Sequence, residues 1–245
     1  MDVPQAWDPA LVAAGLDEMA GATDGLLDTV DGLTDVDLRG PSLLPGWTRA
    51  HVLTHLARNA DGLVNLVAAA RTGEDRPMYP GGREGRDADI EAGASRHLGD
   101  VRLDIAESAE RLLAAFADLP DAAMSREVTM SSGATAYGWE IPSLRVREVE
   151  IHHVDLDLGY TPDDWTPEFA RRTLDQLSPL FRDERDCPVG VLEATDDQGQ
   201  WEVAASGPRL AGTRTALVAW LTGRTAGEGL ELSPPGDVPP APRWV

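Results

Sequence analysis

The chain has 245 residues, 42% of them hydrophobic, which suffices for one large domain or two smaller ones with a buried core. Its formal net charge of -21 excludes the broad basic surface that nucleic acids and anionic membranes require, so we expect neither as a partner. The sequence shows no run of about 18 apolar residues and no basic-then-apolar leader, so we expect a globular, cytoplasmic protein.

Four long helices are predicted in the first two thirds of the chain. Asp8 and Pro9 suit an N-cap and a first helical position, and Thr48 caps a second helix after a Pro-Gly turn. Residues 73–87 are rich in proline and glycine and predict a long loop, and a short stretch that contains residues 131–133 is expected to be irregular or hairpin-like. The predicted helices cover about residues 9–32, 48–72, 88–117 and 141–158. Helices with these connections predict an antiparallel four-helix bundle.

The pattern changes after residues 159–164, where Gly, Pro and Asp interrupt the helical periodicity. Asp196-Asp197-Gln198-Gly199 predicts a hairpin turn between two strands. The predicted elements beyond the break are helix 168–181, strands 189–194 and 201–205, helix 210–221 and strand 230–232. The expected fold class is therefore mainly α plus α+β, with a metal-binding four-helix bundle over residues 1–160 and a small C-terminal α+β domain over residues 165–245.

Four of the five histidines fall in two short clusters. His51 and His55 lie one turn apart on the second predicted helix, and Glu148 and His152 lie one turn apart on the fourth, next to His153. Two facing helices of a bundle can hold one divalent metal ion with such residues. On a wheel of about 100° per residue, His55 is nearer its apolar stripe than His51, and Glu148 shares a face with His152. The favoured ligands are therefore His55, Glu148 and His152.

A structural interpretation of these residues stays open at this point. A histidine on an apolar helix face is commonly a hydrogen-bonded core residue, and Glu148 can simply pair with Arg145 or Arg147. The single cysteine, Cys187, excludes an internal disulfide and has no CxxC partner. Any metal site must therefore depend on histidines and carboxylates.

Two segments carry a family resemblance. They are LLPGWTRAHVLTHLARNADGL and, far downstream, RVREVEIHHVDLDLG, and together they resemble the mycothiol-dependent maleylpyruvate isomerases of the DinB-like superfamily of metal-binding bundles. The resemblance continues through RPMY, SGPRLAGTRTALVAWLTGRT and the terminal GDVPPAPRWV, so it covers nearly the whole chain. It implies an N-terminal DinB-like four-helix bundle with His55, Glu148 and His152 as metal ligands, the three residues that the wheel selects.

The resemblance also implies an enzyme with zinc and mycothiol as cofactors. Its reaction would be the cis-trans isomerisation of maleylpyruvate, a small dicarboxylate, to fumarylpyruvate in gentisate degradation. Three protein ligands leave the fourth position of zinc open, and coordination there deprotonates a thiol. The thiolate would add to the cis double bond, the resulting single bond would rotate, and elimination would regenerate the thiol.

Arginines are expected to bind the carboxylates of such a substrate, because a guanidinium can grip a carboxylate with two hydrogen bonds. Arg224 is the first candidate, since the family has a functional arginine in that Gly-Arg pair, although it can also be a charge at a helix C-terminus. Tyr79 and Arg86, in the predicted loop, are candidate lid or ligand contacts. Asn59, one turn beyond His55, can orient a ligand or lie on its helix surface without a role.

Two other functions stay open. A mycothiol S-transferase would use the same ligands to conjugate other electrophiles, whereas a helical binding or regulatory module would hold a metal without catalysis. Two histidines and one glutamate accept several divalent ions, so the sequence leaves the metal open. It leaves the oligomeric state open as well, and a monomer is compatible with it.

Overall fold

The structure is a computed structural model that describes residues 7–184 and 187–242. The chain divides into two compact units between Leu158 and Gly159. The first unit is mainly helical, and the described part of the second combines two α-helices with a four-stranded sheet. This confirms the predicted fold class.

The first unit contains seven helices and a short β-hairpin among its described residues. The helices are α1 (Pro9–Asp31), α2 (Asp35–Leu38), α3 (Arg49–Thr72), α4 (Gly82–Gly93), α5 (Leu98–Ala117), α6 (Asp121–Met124) and α7 (Ile141–Asp155). Strands β1 (Glu127–Thr129) and β2 (Thr135–Tyr137) pair antiparallel, so of the two predicted alternatives the hairpin is the correct one. A 3-10 turn then leads directly into α7.

Local sequence explains where the first two long helices begin. The Asp8 carboxylate accepts a hydrogen bond from the backbone N–H of Ala10 at 2.8 Å, and Pro9 occupies a position that needs no donor. At the start of α3, the backbone N–H of Thr48 donates to Nδ1 of His51 at 3.2 Å. The His51 side chain therefore accepts a hydrogen bond at the N-terminus of α3, and its Nε2 lies 3.2 Å from Oε2 of Glu91.

The long helices α1, α3, α5 and α7 form the bundle. Helix α3 packs against α5 and α7, and α1 packs against the same two helices. Fully buried residues of several helices meet in the core; among them are Leu26, Val30, Leu53, Leu56, Ile105 and Val149. Because this apolar burial drives α3 against α7, the two histidine-bearing helices lie side by side.

The prediction of a loop over 73–87 followed by one helix over 88–117 is wrong. Helix α4 begins at Gly82, inside the predicted loop, and ends at Gly93, before α5 begins at Leu98. A carboxylate from α2 causes the restart, since Asp35 accepts a hydrogen bond from the backbone N–H of Leu98 at 2.7 Å. This partner is 63 residues away, so the local pattern could not show it.

Helix α7 also ends earlier than predicted, at Asp155 rather than near residue 158. Asp157 has a φ of 55° and Gly159 a φ of 93°, which are left-handed conformations that a right-handed helix cannot continue. The chain therefore turns away immediately after the last ligand-bearing turn.

The second unit is built on a sheet of strand order β4-β3-β5-β6. Its elements are α8 (Pro167–Glu184), β3 (Val191–Ala194), β4 (Gln200–Glu202), β5 (Arg209–Gly212), α9 (Arg214–Leu221) and β6 (Glu231–Ser233). Strands β3 and β4 pair antiparallel, which confirms the hairpin predicted from residues 196–199. The predicted helix over 210–221 is wrong at its start, because residues 209–212 pair in parallel with β3 instead. Because the partner strand lies about 18 residues earlier in the chain, the local sequence of residues 209–212 does not show that they form a strand.

Among the described residues, no helix is both long enough and apolar enough to cross a membrane.

The assigned core predicts that two leucines contribute very differently to the free energy of unfolding. Replacing Leu53, which is fully buried in the core, with Ala should lower the free energy of unfolding by about 2–5 kcal/mol, since it leaves a cavity between helices. Replacing Leu103 on α5, whose exposure is 55%, should change it by only about 0.5 kcal/mol. Urea unfolding followed by circular dichroism measures both. Equal losses would contradict the assigned core.

Candidate metal centre

Three side chains from two helices converge in the first unit: His55 from α3, and Glu148 and His152 from α7. Nε2 of His55 lies 3.2 Å from Oε2 of Glu148, and Nε2 of His152 lies 3.9 Å from the same oxygen. The two imidazole rings are nearly perpendicular, at 87°, with centroids 4.6 Å apart. One ligand atom from each residue lies within 4.8 Å of the other two.

This arrangement fits a divalent metal ion. Tetrahedral zinc with bonds of about 2.0–2.1 Å places neighbouring ligand atoms about 3.3 Å apart. The 3.2 Å between His55 and Glu148 matches that spacing, and the 3.9 Å between His152 and Glu148 is longer. Two imidazoles and a carboxylate are donors that zinc accepts, and other divalent ions accept them too. Three ligands leave one coordination position for an exogenous group.

His55 is buried and held from several directions. Its exposure is 4%, and the Trp47 ring packs edge-on against it with centroids 5.8 Å apart. Nδ1 lies 3.1 Å from Nη2 of Arg86, which can only donate, so Nδ1 accepts and Nε2–H donates to Glu148. Burial lowers the pKa of His55 to about 4, so the ring is neutral at neutral pH. A neutral imidazole is the form that binds metals.

Glu148 stays ionised although its side chain is only 22% exposed. Burial raises the pKa of a carboxyl and is the largest single effect here, but the hydrogen bond from His55 opposes it. The charges of the two histidines and of Arg147 act in the same direction, and together they hold the pKa of Glu148 well below its usual range. The centre therefore offers one negative oxygen between two imidazoles.

The sequence analysis missed Asp155, which contacts His152. Oδ2 of Asp155 lies 2.7 Å from Nδ1 of His152, and Asp155 is 1% exposed. An ionised carboxylate accepts, so Nδ1 carries a proton, and Nε2 is the ring nitrogen on the side of Glu148. The signal was available, since His152 and Asp155 are three residues apart and share a helix face.

Asn59, Tyr79 and Arg86 lie around the same centre. Asn59 is buried, and its Oδ1 accepts a hydrogen bond from Nη1 of Arg145 at 3.0 Å, so the alternative of a surface Asn is wrong. Arg86 lies on α4 and not in a loop, and Tyr79 precedes that helix and is half-buried. The guanidinium of Arg86 lies 5.7 Å from the centroid of the Tyr79 ring.

Arg224 lies in the second unit, three residues after the end of α9. It is half-buried, and its Nη1 donates to the backbone carbonyl of Thr222. That contact agrees with the alternative of a charge at a helix C-terminus. The role of Arg224 in ligand binding stays a prediction.

Arg145 is a second residue that the sequence analysis undervalued, because it was considered only as a partner for Glu148. It is fully buried, and its Nη1 donates to the backbone carbonyl of Leu56 at 2.7 Å as well as to Asn59. Burial lowers its pKa to about 10, so it stays charged at neutral pH. Within the part of the chain that the structure describes, Nε and Nη2 have no hydrogen-bond acceptor. Arg145 thus puts an incompletely neutralised positive charge one turn before Glu148.

Comparison with protein families matches residues 19–157 to the family described as the mycothiol maleylpyruvate isomerase N-terminal domain. That segment begins within α1 and contains the candidate metal centre. The matched range is more than half of the chain.

Comparison with solved structures shows similarity to a crystal structure of the mycothiol-dependent maleylpyruvate isomerase. The TM-score is 0.87 at 28% sequence identity, over 95% of this chain and 97% of that chain. A crystal structure of a histidine-to-alanine mutant of the mycothiol-dependent maleylpyruvate isomerase gives a TM-score of 0.86 at the same identity and coverage. A search of curated proteins finds no match.

The lowered pKa of His55 predicts acid sensitivity of chelator-treated protein. Between about pH 6.5 and pH 4 the unfolded chain binds a proton at this histidine and the folded chain does not, so stability should fall as the pH falls. The His55 contribution is at most about 1.4 kcal/mol per pH unit. The lowered pKa of Glu148 acts in the same direction at lower pH, because that carboxylate must be protonated on unfolding in acid.

Urea unfolding at a series of pH values measures this dependence. His55→Gln should give a shallower slope between pH 6.5 and pH 4 than the wild type. His97→Gln is the matched control, because the His97 side chain is 78% exposed and lies outside the centre. Identical slopes for the wild type and His55→Gln would show that His55 is not held neutral.

Proposed function

Since the chain belongs to the mycothiol maleylpyruvate isomerase family, we propose that it is an isomerase that converts maleylpyruvate to fumarylpyruvate with zinc and mycothiol as cofactors. The observation that carries this proposal is the convergence of His55, Glu148 and His152 in a chain of this family. The structural similarity over 95% of the chain to the mycothiol-dependent maleylpyruvate isomerase supports the specific reaction. The metabolic context we propose is gentisate degradation.

The ligand chemistry supports zinc with an open coordination position. His55, Glu148 and His152 would hold the ion; the carboxylate of Glu148 is already ionised and the His55 ring already uncharged, so the Nε2 proton of His55 is the one that would have to leave. When bound, the metal supplies the positive charge that keeps a coordinated thiol sulfur deprotonated at neutral pH.

The chain's own thiol does not suit the role of nucleophile. Cys187 is the single cysteine, and it is buried in the second unit with an exposure of 7%. A reactive thiol needs access to its substrate. An external thiol such as mycothiol therefore fits the centre better than any internal one.

Local positive charge supports a dianionic substrate in spite of the net charge of -21. The guanidinium of Arg86 contacts His55 at the edge of the centre and keeps a side-chain exposure of 23%, so it can reach a ligand. Arg145 is fully buried, so it can influence a bound ligand only through the electrostatic field of its positive charge. We propose Arg86 and Arg224 as carboxylate-binding residues, with Asn59 and Tyr79 as further contacts around the ligand.

The proposed reaction is the addition of the mycothiol sulfur to the cis double bond, rotation about the resulting single bond and elimination of the thiol. The thiol is regenerated, so it acts as a cofactor. The chain's residues orient the ligands, bind the carboxylates and keep the His55 imidazole neutral.

A turnover assay tests this proposal. Zinc-loaded protein with maleylpyruvate and a small amount of mycothiol should give many turnovers per thiol, followed by the absorbance of the enolic product. His55→Ala and His152→Ala should lose bound zinc, measured by elemental analysis, and at least about 100-fold in turnover, because each loses a ligand. His97→Ala is the matched control and should keep both.

The outcomes separate this function from its two rivals. Stoichiometric loss of thiol without fumarylpyruvate would indicate a mycothiol S-transferase. Bound zinc with neither reaction would indicate a non-enzymatic binding module. Full activity in either ligand variant would contradict the metal centre itself.

A further inference from the structure

Two arginines link α3 and α7 by hydrogen bonds that run in opposite directions. Arg145, on α7, donates from Nη1 to the backbone carbonyl of Leu56 at 2.7 Å and to Oδ1 of Asn59 at 3.0 Å, and both acceptors lie on α3. Arg49, the first residue of α3, donates from Nε to the backbone carbonyl of Leu156 at 2.7 Å, directly after the end of α7. Each helix therefore holds the other through one arginine.

The candidate metal ligands lie between these two links on both helices. On α3, His55 lies between Arg49 and the two acceptors of Arg145. On α7, Glu148 and His152 lie between Arg145 and the acceptor of Arg49. The beginning of α3 thus meets the end of α7, so the two helices run antiparallel. The ligands are enclosed between two fixed points of the helix pair.

Hydrogen bonds fix the axial alignment of two helices more strictly than apolar contacts do. An apolar core tolerates altered packing if its total volume is kept, whereas a hydrogen bond from N–H to oxygen needs a distance of about 2.7–3.2 Å. A slide of α7 along α3 by one residue is about 1.5 Å and would break these bonds. Arg145 is 0% exposed and Asn59 only 3%, so water could not replace the bond that joins them.

The surroundings of Arg145 indicate that its guanidinium does not add stability. Within the part of the chain that the structure describes, its Nε and Nη2 have no acceptor. Met19 on α1 and Ala109 and Leu112 on α5 line a small cavity together with Arg145. A long apolar side chain suits such surroundings at least as well as a charge does. A role in alignment explains a buried guanidinium that stability does not require.

We propose that Arg145 and Arg49 are positioning residues that fix the axial alignment of α3 and α7, and with it the spacing between the ligand atoms of His55 and Glu148. This role rests on the proposed metal centre. The 3.2 Å between Nε2 of His55 and Oε2 of Glu148 is close to the spacing of about 3.3 Å around tetrahedral zinc. A functional site tolerates errors of only about 0.5 Å, and a slide by one residue exceeds that.

The sign of the change in zinc affinity separates alignment from electrostatics. A positive charge inside the core repels a cation, so an Arg145 that acted only through its field would weaken zinc binding. Its removal would then raise the zinc affinity. Loss of alignment lowers the affinity instead.

Arg145→Met tests the proposal, since it removes the charge and both hydrogen bonds but keeps a long side chain. The zinc affinity of the folded variant, measured by competition with a chelator, should fall about 10-fold, as for other residues that orient metal ligands. Arg49→Met should lower it at least about threefold, a smaller loss because Arg49 is half-buried and water can replace part of its link.

Two control variants isolate the helix alignment. Arg126→Met also removes an arginine that donates to carbonyls of α3, but these belong to Ala70 and Arg71 at the far end of the helix. Ile105→Ala, in the buried core on α5, should lower the urea midpoint without touching either arginine link. Both variants should keep the zinc affinity of the wild type within about threefold.

The outcomes decide each part of the proposal. Zinc affinity equal to or above that of the wild type in Arg145→Met or Arg49→Met would overturn the role of that arginine. An equal loss in Ile105→Ala would trace the effect to general destabilisation and overturn both roles. If Arg145→Met does not fold, Arg145→Lys replaces it; one ammonium lacks the guanidinium fork, so the affinity should still fall at least about threefold. Failure of the wild type to bind zinc would instead count against the proposed metal centre.

Discussion

The contact between α3 and α7 is the constraint on which the candidate site depends. Of the three clustered side chains, one lies on α3 and two lie on α7, and 93 residues separate His55 from Glu148 in sequence. Arg145 ties these helices together, since its guanidinium reaches from α7 to the carbonyl of Leu56, next to His55. Burying a guanidinium with unsatisfied donors costs several kcal/mol, on the order of the net stability of a domain. The apolar core around Arg145 must offset that cost. In exchange, the hydrogen bond to Leu56 fixes the position of α7 along the axis of α3.

The two imidazoles are oriented by opposite charges. Nδ1 of His55 faces the guanidinium of Arg86, whereas Nδ1 of His152 faces the carboxylate of Asp155. Both arrangements direct Nε2 to the side of Glu148, but they place the ring proton differently. His55 donates its Nε2–H to Glu148, whereas His152 donates its Nδ1–H to Asp155. The centre is thus organised by side chains that do not themselves belong to the ligand set.

Three arginines lie close to the centre although the molecule as a whole is acidic. The chain carries a net charge of -21, yet Arg86, Arg145 and Arg147 are all close enough to affect the charged states of His55 or Glu148. A field inside a low-dielectric core is screened much less than a field at the surface. The acidic exterior therefore does not prevent the centre from attracting an anionic ligand.

The sequence by itself determined the fold class, the long helices and the three side chains of the candidate centre, because helical periodicity decides which residues share a face. It also contained the signal for Asp155, three residues from His152. Only the tertiary structure decided the break between α4 and α5, the strand at residues 209–212, and the contacts of Arg86, Tyr79 and Arg145. Each of these depends on a partner that is distant in sequence: a cap from another helix, a parallel strand, or a buried acceptor. Local pattern shows which face of a segment is apolar, but packing decides what that face meets.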